Sequence, residues 1–195
     1  MEKNLTVNNK IEVLVIGGSA GAFDVLSQII PKIKPSINFA IIIILHRKIS
    51  NANSISRFFS SKTLLTVTEC EEKESILPAH IYFAPADYHL LVENNRTFSL
   101  DYSEKVNYSR PSIDITFKNL ADIYQQNLAA LLLSGANADG VDGLKYVQEN
   151  NGTTIVQHPN SAEVKYMPQQ AIKQLNVNYV LNIEQIVTLI NNFNI

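Results

Sequence analysis

The sequence predicts an α/β fold: a doubly wound, mostly parallel sheet with helices on both faces and a β-hairpin near residues 88–102. Three observations predict it. Strand-like and helix-like segments alternate from Ile11 onward, the order that lays helices across a parallel sheet. Three segments, "IEVLVIG", "FAIIIIL" and "LAALLL", are continuously apolar rather than alternating, as strands buried on both faces must be. Each then runs directly into a turn of small and polar residues.

The elements come in order along the chain. Residues 1–10 are polar and aperiodic and read as a tail, with one domain over 11–195. After "IEVLVIG", the stretch "AFDVLSQIIPKI" puts Phe23, Leu26, Ile29 and Ile30 on one helical face, with Pro31 near its end. "FAIIIIL" is rich in β-branched residues and reads as the second buried strand. "ANSISRFFSS" has weak helical spacing, and short strands come next at "LLTVTE", "HIYFAP" and "YHLLVE". "ENNRT" is a hairpin turn into "TFSLDY". "SIDITFKNLADIYQQ" is a helix with Ser112 as its N-cap and Ile113, Phe117, Leu120 and Tyr124 on one face. "NLAALLLSG" is a strand, "DGLKYVQENNG" a helix, and a strand–helix–strand–helix run completes the chain.

Composition narrows the class. With 46% apolar and 17% charged residues the chain is globular. A net charge of −2 gives no electrostatic footprint for nucleic acid. The longest apolar run, Phe39–Leu45, falls far short of the roughly 20 residues that span a bilayer. The N-terminal stretch lacks a signal-type hydrophobic segment, and the single cysteine, Cys70, excludes an internal disulfide framework. These features predict a cytoplasmic protein.

In an open α/β sheet, ligands sit beyond the carboxyl ends of the strands. The first buried strand delivers Gly17-Gly18-Ser19-Ala20-Gly21 there, the second His46-Arg47, and the third Ser134 to Gly140, including Asp139. A serine, a histidine and an aspartate are the parts of a supported nucleophile: serine attacks, histidine takes its proton, aspartate orients the ring. Gly17-x-Ser19-x-Gly21 fits the G-x-S-x-G turn, whose small residues allow a sharp strand-to-helix bend. Alone, that pattern is weak, a strand-end histidine is commonly structural, and Asp139 reads equally as a helix cap. Their joint placement is far more specific than any one of them. A dinucleotide-binding turn is the competing reading. It wants a glycine where Ser19 stands, and an acid where the chain has His46-Arg47; Arg47 could instead meet a 2′-phosphate. Cys70, flanked by Glu69, Glu71 and Glu72, is a poor thiolate. His80 and His158 have no recognisable partner in the sequence.

Six ordered blocks resemble the catalytic domain of the chemotaxis protein-glutamate methylesterases, the CheB family, over nearly all of residues 11–195. "VIGGSAGAFDVL" is similar to the family's G-A-S-x-G-G segment and "IIILHR" to its V-Q-H-M strand end. "HIYFAPADYHLLV" resembles Y-I-A-P-x-x-x-H-L, and "SRPSIDITF" resembles R-P-S-V-D. "LLLSGANADGVDGL" and "YMPQQAI" resemble the aspartate block and the G-M-P-x-x-A segment. The resemblance implies a serine hydrolase with Ser19 as nucleophile, His46 as general base and Asp139 as orienting acid. It would hydrolyse glutamate γ-methyl esters on methylated chemoreceptors through an acyl-enzyme, release methanol, and deamidate certain glutamines. It implies no metal and no organic cofactor. Ala20, Ala136 and Arg110 are the expected substrate or oxyanion contacts, Arg110 toward an acidic receptor helix; His89, which matches a family position, is expected to be structural.

The departures set further expectations. Only about ten residues precede the first strand, where the family carries a receiver domain. The expectation is then a stand-alone esterase, a domain cut from a larger protein, or an enzyme controlled by a receiver-domain or methyltransferase partner in trans. Ala20 replaces a common Thr, Ala136-Asn137 replaces Met-Gly, and "HPNSAEVKY" alters the rim. A catalytically inactive regulatory adaptor on the same fold is the alternative these changes motivate.

Overall fold

A computed structural model of the chain describes residues 9–47 and 54–194. Seven strands form one parallel sheet: β1 (Val13–Gly18), β2 (Ala40–Leu45), β3 (Thr66–Glu69), β4 (His80–Phe83), β7 (Leu128–Leu132), β8 (Thr153–Gln157) and β9 (Tyr179–Leu181). Their order is β3-β4-β2-β1-β7-β8-β9. A separate antiparallel hairpin pairs β5 (His89–Val92) with β6 (Phe98–Asp101), within the predicted 88–102. The expected tail, residues 1–10, falls mostly outside the described residues.

Every residue of β1, β2, β7 and β8 is buried, which is why β1, β2 and β7 read as unbroken apolar runs, while β8 buries Thr153, Thr154 and Gln157 as well. Helices α1 (Ala22–Ile29), α2 (Ser54–Ser60) and α6 (Ile183–Asn191) lie on one side; α3 (Ile113–Tyr124), α4 (Val141–Glu149) and α5 (Tyr166–Gln174) lie on the other. Side chains alternate between the two resulting cores: Leu14, Ile16, Ile41 and Ile43 enter one, while Val13, Val15, Ile42 and Ile44 enter the other. Full burial of each such aliphatic chain contributes about 1.5–3 kcal/mol before entropy is counted.

The order reverses at β1, which pairs with β2 on one side and with β7 on the other. Gly18 lies opposite Leu45, and Gly17 opposite Leu132. The three strands therefore end flush, at a topological switch point. The turns that leave their carboxyl ends share one rim.

Two helices show how far apolar spacing predicts a buried face. In α3, Ser112 caps the start by accepting the Ile115 N–H at 3.5 Å, and Ile113, Phe117, Leu120 and Tyr124 are buried as expected. In α1 the buried face is Ala22, Val25, Leu26 and Ile29, and Phe23 is 40% exposed rather than buried. Ala22 sets the phase: its Cβ would lie 2.5 Å from a Cβ at Gly18, so the helix rests on the strand through Ala22 and turns Phe23 outward.

Candidate active site

The turn after β1 is fixed from several directions. Ser19 N–H donates to Ser134 O at 2.9 Å and Ala22 N–H to Ser19 O at 3.0 Å. Gly21 has φ of +80° and precedes α1. A Cβ there would meet Ser134 Oγ at 2.7 Å and Glu163 Cβ at 2.8 Å, so only glycine suits both the conformation and the space. Gly135 is equally confined, since a Cβ would fall 2.4 Å from Met167 Cε and 3.1 Å from Ser19 Cβ. The turn after β7 thus presses its backbone against the serine.

Ser134 ties the two turns together. Its buried hydroxyl donates to Ala20 O at 2.7 Å and accepts the Val164 N–H at 3.0 Å. Its own N–H donates to Gln157 Oε1 at 2.9 Å. With the Ala20 carbonyl held inward, the Ala20 N–H has no partner among the described residues, and neither has that of Ala136. Ala20 directly follows Ser19, and Ala136 directly follows Gly135, where a Cβ would lie 3.1 Å from Ser19 Cβ.

His46 comes directly after β2, its N–H donating to Gly18 O at 3.2 Å. Its Nε2 bonds Asp139 Oδ2 at 2.7 Å. This leaves Nδ1 without a protein partner among the described residues, as it leaves Ser19 Oγ. Ser19 and His46 line a common cavity of about 400 Å³, walled by Phe23, Leu45, Ile55 and Phe58. His46 also borders a polar cavity of about 440 Å³ lined by Arg47, Asp87, Lys105, Tyr108 and Arg110.

Asp139 is 1% exposed and is held by several hydrogen bonds. Besides His46, its donors are Ser112 Oγ at 2.9 Å, Ile113 N–H at 2.8 Å and Asp114 N–H at 3.2 Å. Burial alone would push its pKa up, but the His46 bond and the two N–H groups at the start of α3 outweigh burial and hold it below the usual carboxylate range. A carboxylate that stays ionised in a buried setting is what an imidazolium partner requires.

The structure thus brings Ser19, His46 and Asp139 to one rim with Ala20 and Ala136 beside them. Arg110 is committed elsewhere. Its guanidinium donates to Asp87 Oδ1 at 3.2 and 2.9 Å and to the carbonyls of Tyr102 and Ser103 at 3.1 and 2.6 Å, and it lies 3.8 Å over the Tyr102 ring. It anchors the segment after the hairpin and, with His46, lines the polar cavity. His89 is structural: Nδ1 accepts the Ser112 N–H at 3.1 Å and Nε2–H donates to Glu104 O at 3.0 Å. Arg47 pairs with Glu69, so the cation a 2′-phosphate would need is already engaged. Burial, and then Glu74, push the Cys70 thiol well up, which leaves it no nucleophile.

Sequence reasoning missed four contributors. Ser134 and Gln157 fix the serine turn through hydrogen bonds between distant turns, which no local pattern encodes. Phe58 closes the apolar cavity from α2, whose spacing is weak. Asp114 does carry a local signal, an acidic residue in a helix's first turn.

Fold and site together define a doubly wound α/β domain that assembles a serine, a histidine and a buried aspartate at its switch point. The chain belongs to the CheB methylesterase family, whose profile matches residues 14–190. It is 39% identical over 178 residues to a Leptospira interrogans protein that carries the provisional name protein-glutamate methylesterase/protein-glutamine glutaminase, covering 91% of this chain and 92% of that one. It is 33% identical to the Thermotoga maritima protein-glutamate methylesterase/protein-glutamine glutaminase, over 87% of this chain and 50% of that protein's length. The crystal structure of the Thermotoga maritima CheB methylesterase catalytic domain superposes with a TM-score of 0.88 at 32% identity, covering 93% of this chain and 98% of that one. Among the described residues no helix is long and apolar enough to cross a membrane.

Proposed function

We propose that residues 11–195 form a methylesterase catalytic domain behind a polar tail at residues 1–10, and that it hydrolyses glutamate γ-methyl esters on methylated chemoreceptors. The observation that carries this reading is the short His46–Asp139 bond at the cavity that holds Ser19, in a chain of the CheB methylesterase family.

In this reading Ser19 Oγ attacks the ester carbonyl while His46 Nδ1 takes the hydroxyl proton. The tetrahedral oxyanion faces the N–H groups of Ala20 and Ala136. Collapse expels methanol, which receives the proton back from His46, and leaves a glutamyl ester on Ser19. Water, deprotonated by the same nitrogen, then frees the glutamate carboxyl and regenerates the serine. Asp139 keeps the ring oriented through Nε2 and stabilises the imidazolium at each proton transfer. A receptor glutamine would take the same course with ammonia as the first product.

The ring is used in the reverse sense to the familiar template, with Nε2 on the acid and Nδ1 toward the serine. A histidine placed directly at a strand end, with its backbone tied to Gly18 O, explains the difference: Nδ1 is the nitrogen nearer the main chain. Receptor membranes carrying radiolabelled methyl esters test the reading. Labelled methanol released in proportion to added protein supports it; no release from any methylated receptor would overturn it.

A further inference from the structure

Asp114 lies at the second position of α3, next to Asp139 but absent from the proposed chemistry. Its contacts mirror those of its neighbour. Asp139, just ahead of α4, accepts the N–H groups of Ile113 and Asp114 at the start of α3. Asp114 Oδ1, in the first turn of α3, accepts Gly140 N–H at 2.9 Å and Gly143 N–H at 2.6 Å at the start of α4. Each helix is thus capped by a carboxylate delivered from the other. Gly140 directly follows Asp139, so the Asp114 contact fixes the backbone that aims the carboxylate at His46.

We propose that Asp114 is a positioning residue for the proton relay: its clasp on Gly140 and Gly143 sets Asp139 against His46, and its own charge supports the pair. This rests on the methylesterase reading for its kinetic consequences, not for the clasp itself. The geometry has an unusual electrical side. Two buried carboxyl groups share one pair of helix N-termini. The groups facing Asp114 are Asp139 and, behind it, His46 on one side, Asp142 in the first turn of α4, and the Asn107 amide, whose Nδ2–H donates to Asp114 Oδ2 at 3.4 Å. Among the described residues no cation faces it except His46 when protonated. Burial foremost, then the charges of Asp139 and Asp142, raise Asp114 to about 6 against the opposing pull of the Gly143 N–H. Below that pH, Asp114 carries a proton beside Asp139. Above it, the pair carries two negative charges facing an imidazole that must become cationic during turnover. Deprotonation of Asp114 therefore favours the relay, and the two carboxyl groups titrate as a coupled system.

Asp114→Asn and Asp114→Ala separate the two roles. The amide oxygen of asparagine can still accept both glycine N–H groups but carries no charge; alanine does neither. Asp114→Ala should lower kcat by about tenfold or more, the scale of a small misplacement of a catalytic group, with KM nearly unchanged. Asp114→Asn should recover part of that loss at pH 8, the share owed to the clasp and not to the charge, and remove one ionisation from the acidic limb of the kcat profile. Carboxyl carbon NMR supplies a readout that needs no turnover. The parent should show an aspartate carbon titrating near 6 that vanishes in Asp114→Asn, and the low-field proton of the His46–Asp139 bond should be lost or displaced in Asp114→Ala. Parent-like kcat, pH profile and low-field proton in both variants would overturn the proposal. So would equal losses in both with an unaltered profile, which would mark a purely structural residue. A parent that releases no methanol yet shows the expected NMR pattern would overturn the methylesterase reading and leave the clasp standing.

Discussion

The two halves of the candidate site are held very differently. On the α3–α4 side, Asp139 is buried and saturated by its donors, and His46 is tied to it at 2.7 Å. On the α1–α2 side, Ser19 is placed by its backbone alone, and its hydroxyl faces an apolar cavity edged by the half-exposed rings of Phe23 and Phe58. The acid half is preorganised, so its electrostatic work is done before substrate arrives. The serine half is left open: among the described residues neither Ser19 Oγ nor His46 Nδ1 has a protein partner. In the proposed mechanism the relay lies in the buried, hydrogen-bonded part of the site and recognition in the part that faces solvent.

That division orders the expected effects. The largest is at the chemistry. His46→Ala should lower methanol release by several powers of ten, on the order of 10⁶ if the triad acts as a unit, and should also lower the melting temperature, because the buried Asp139 carboxylate loses its partner. Asp139 likewise serves both chemistry and structure. Asp139→Asn should cost about 10⁴ in kcat, and Asp139→Ala should also lower stability by about 3 kcal/mol, as the N–H groups of Ile113 and Asp114 lose their acceptor. A stable Asp139→Ala protein would break the contrast between the halves. Phe58→Ala tests the open side: truncating a half-exposed ring should raise KM by about fivefold, roughly 1 kcal/mol of apolar contact, with kcat little changed. A fall in kcat instead would mean that α2 positions Ser19 as well as substrate.

The smallest effect is a pH dependence of stability. Asp114 is raised to about 6 in the fold, against about 4 for a free aspartate. Between those limits the folded state holds the extra proton, so this group lowers stability as pH rises through the window. Asp139 is depressed in the fold and acts oppositely. Its contribution is present above the ordinary aspartate range and is lost as pH falls through its folded value. Melting temperatures of Asp114→Asn should gain on the parent as pH rises from about 4 to about 7, the span of the Asp114 titration; a difference that does not change with pH would contradict the assignment.

Much of the fold and site was legible in the sequence because each step was local. Unbroken apolar runs located β1, β2 and β7, and the turns after them held Ser19, His46 and Asp139. Ser112 announced α3 by its cap. The hidden features depend on distant pairs. Phe23 shared a helical face with Leu26 by spacing, yet contact between Ala22 and Gly18 turned it to the rim. Arg110 read as a candidate for an acidic partner, because nothing in its neighbourhood shows that Asp87 and two carbonyls engage its guanidinium. Ser134 was visible as a turn residue, but its bond to Ala20 spans 114 positions.

Ser19 is the proposed nucleophile of an ester hydrolase. The most direct measurement is labelled methanol release from methylated receptor membranes by the parent and by Ser19→Ala, with circular dichroism showing both folded. Steady release by the parent and a loss on the order of 10⁶-fold in the variant are expected. Equal release by the two proteins would contradict the claim.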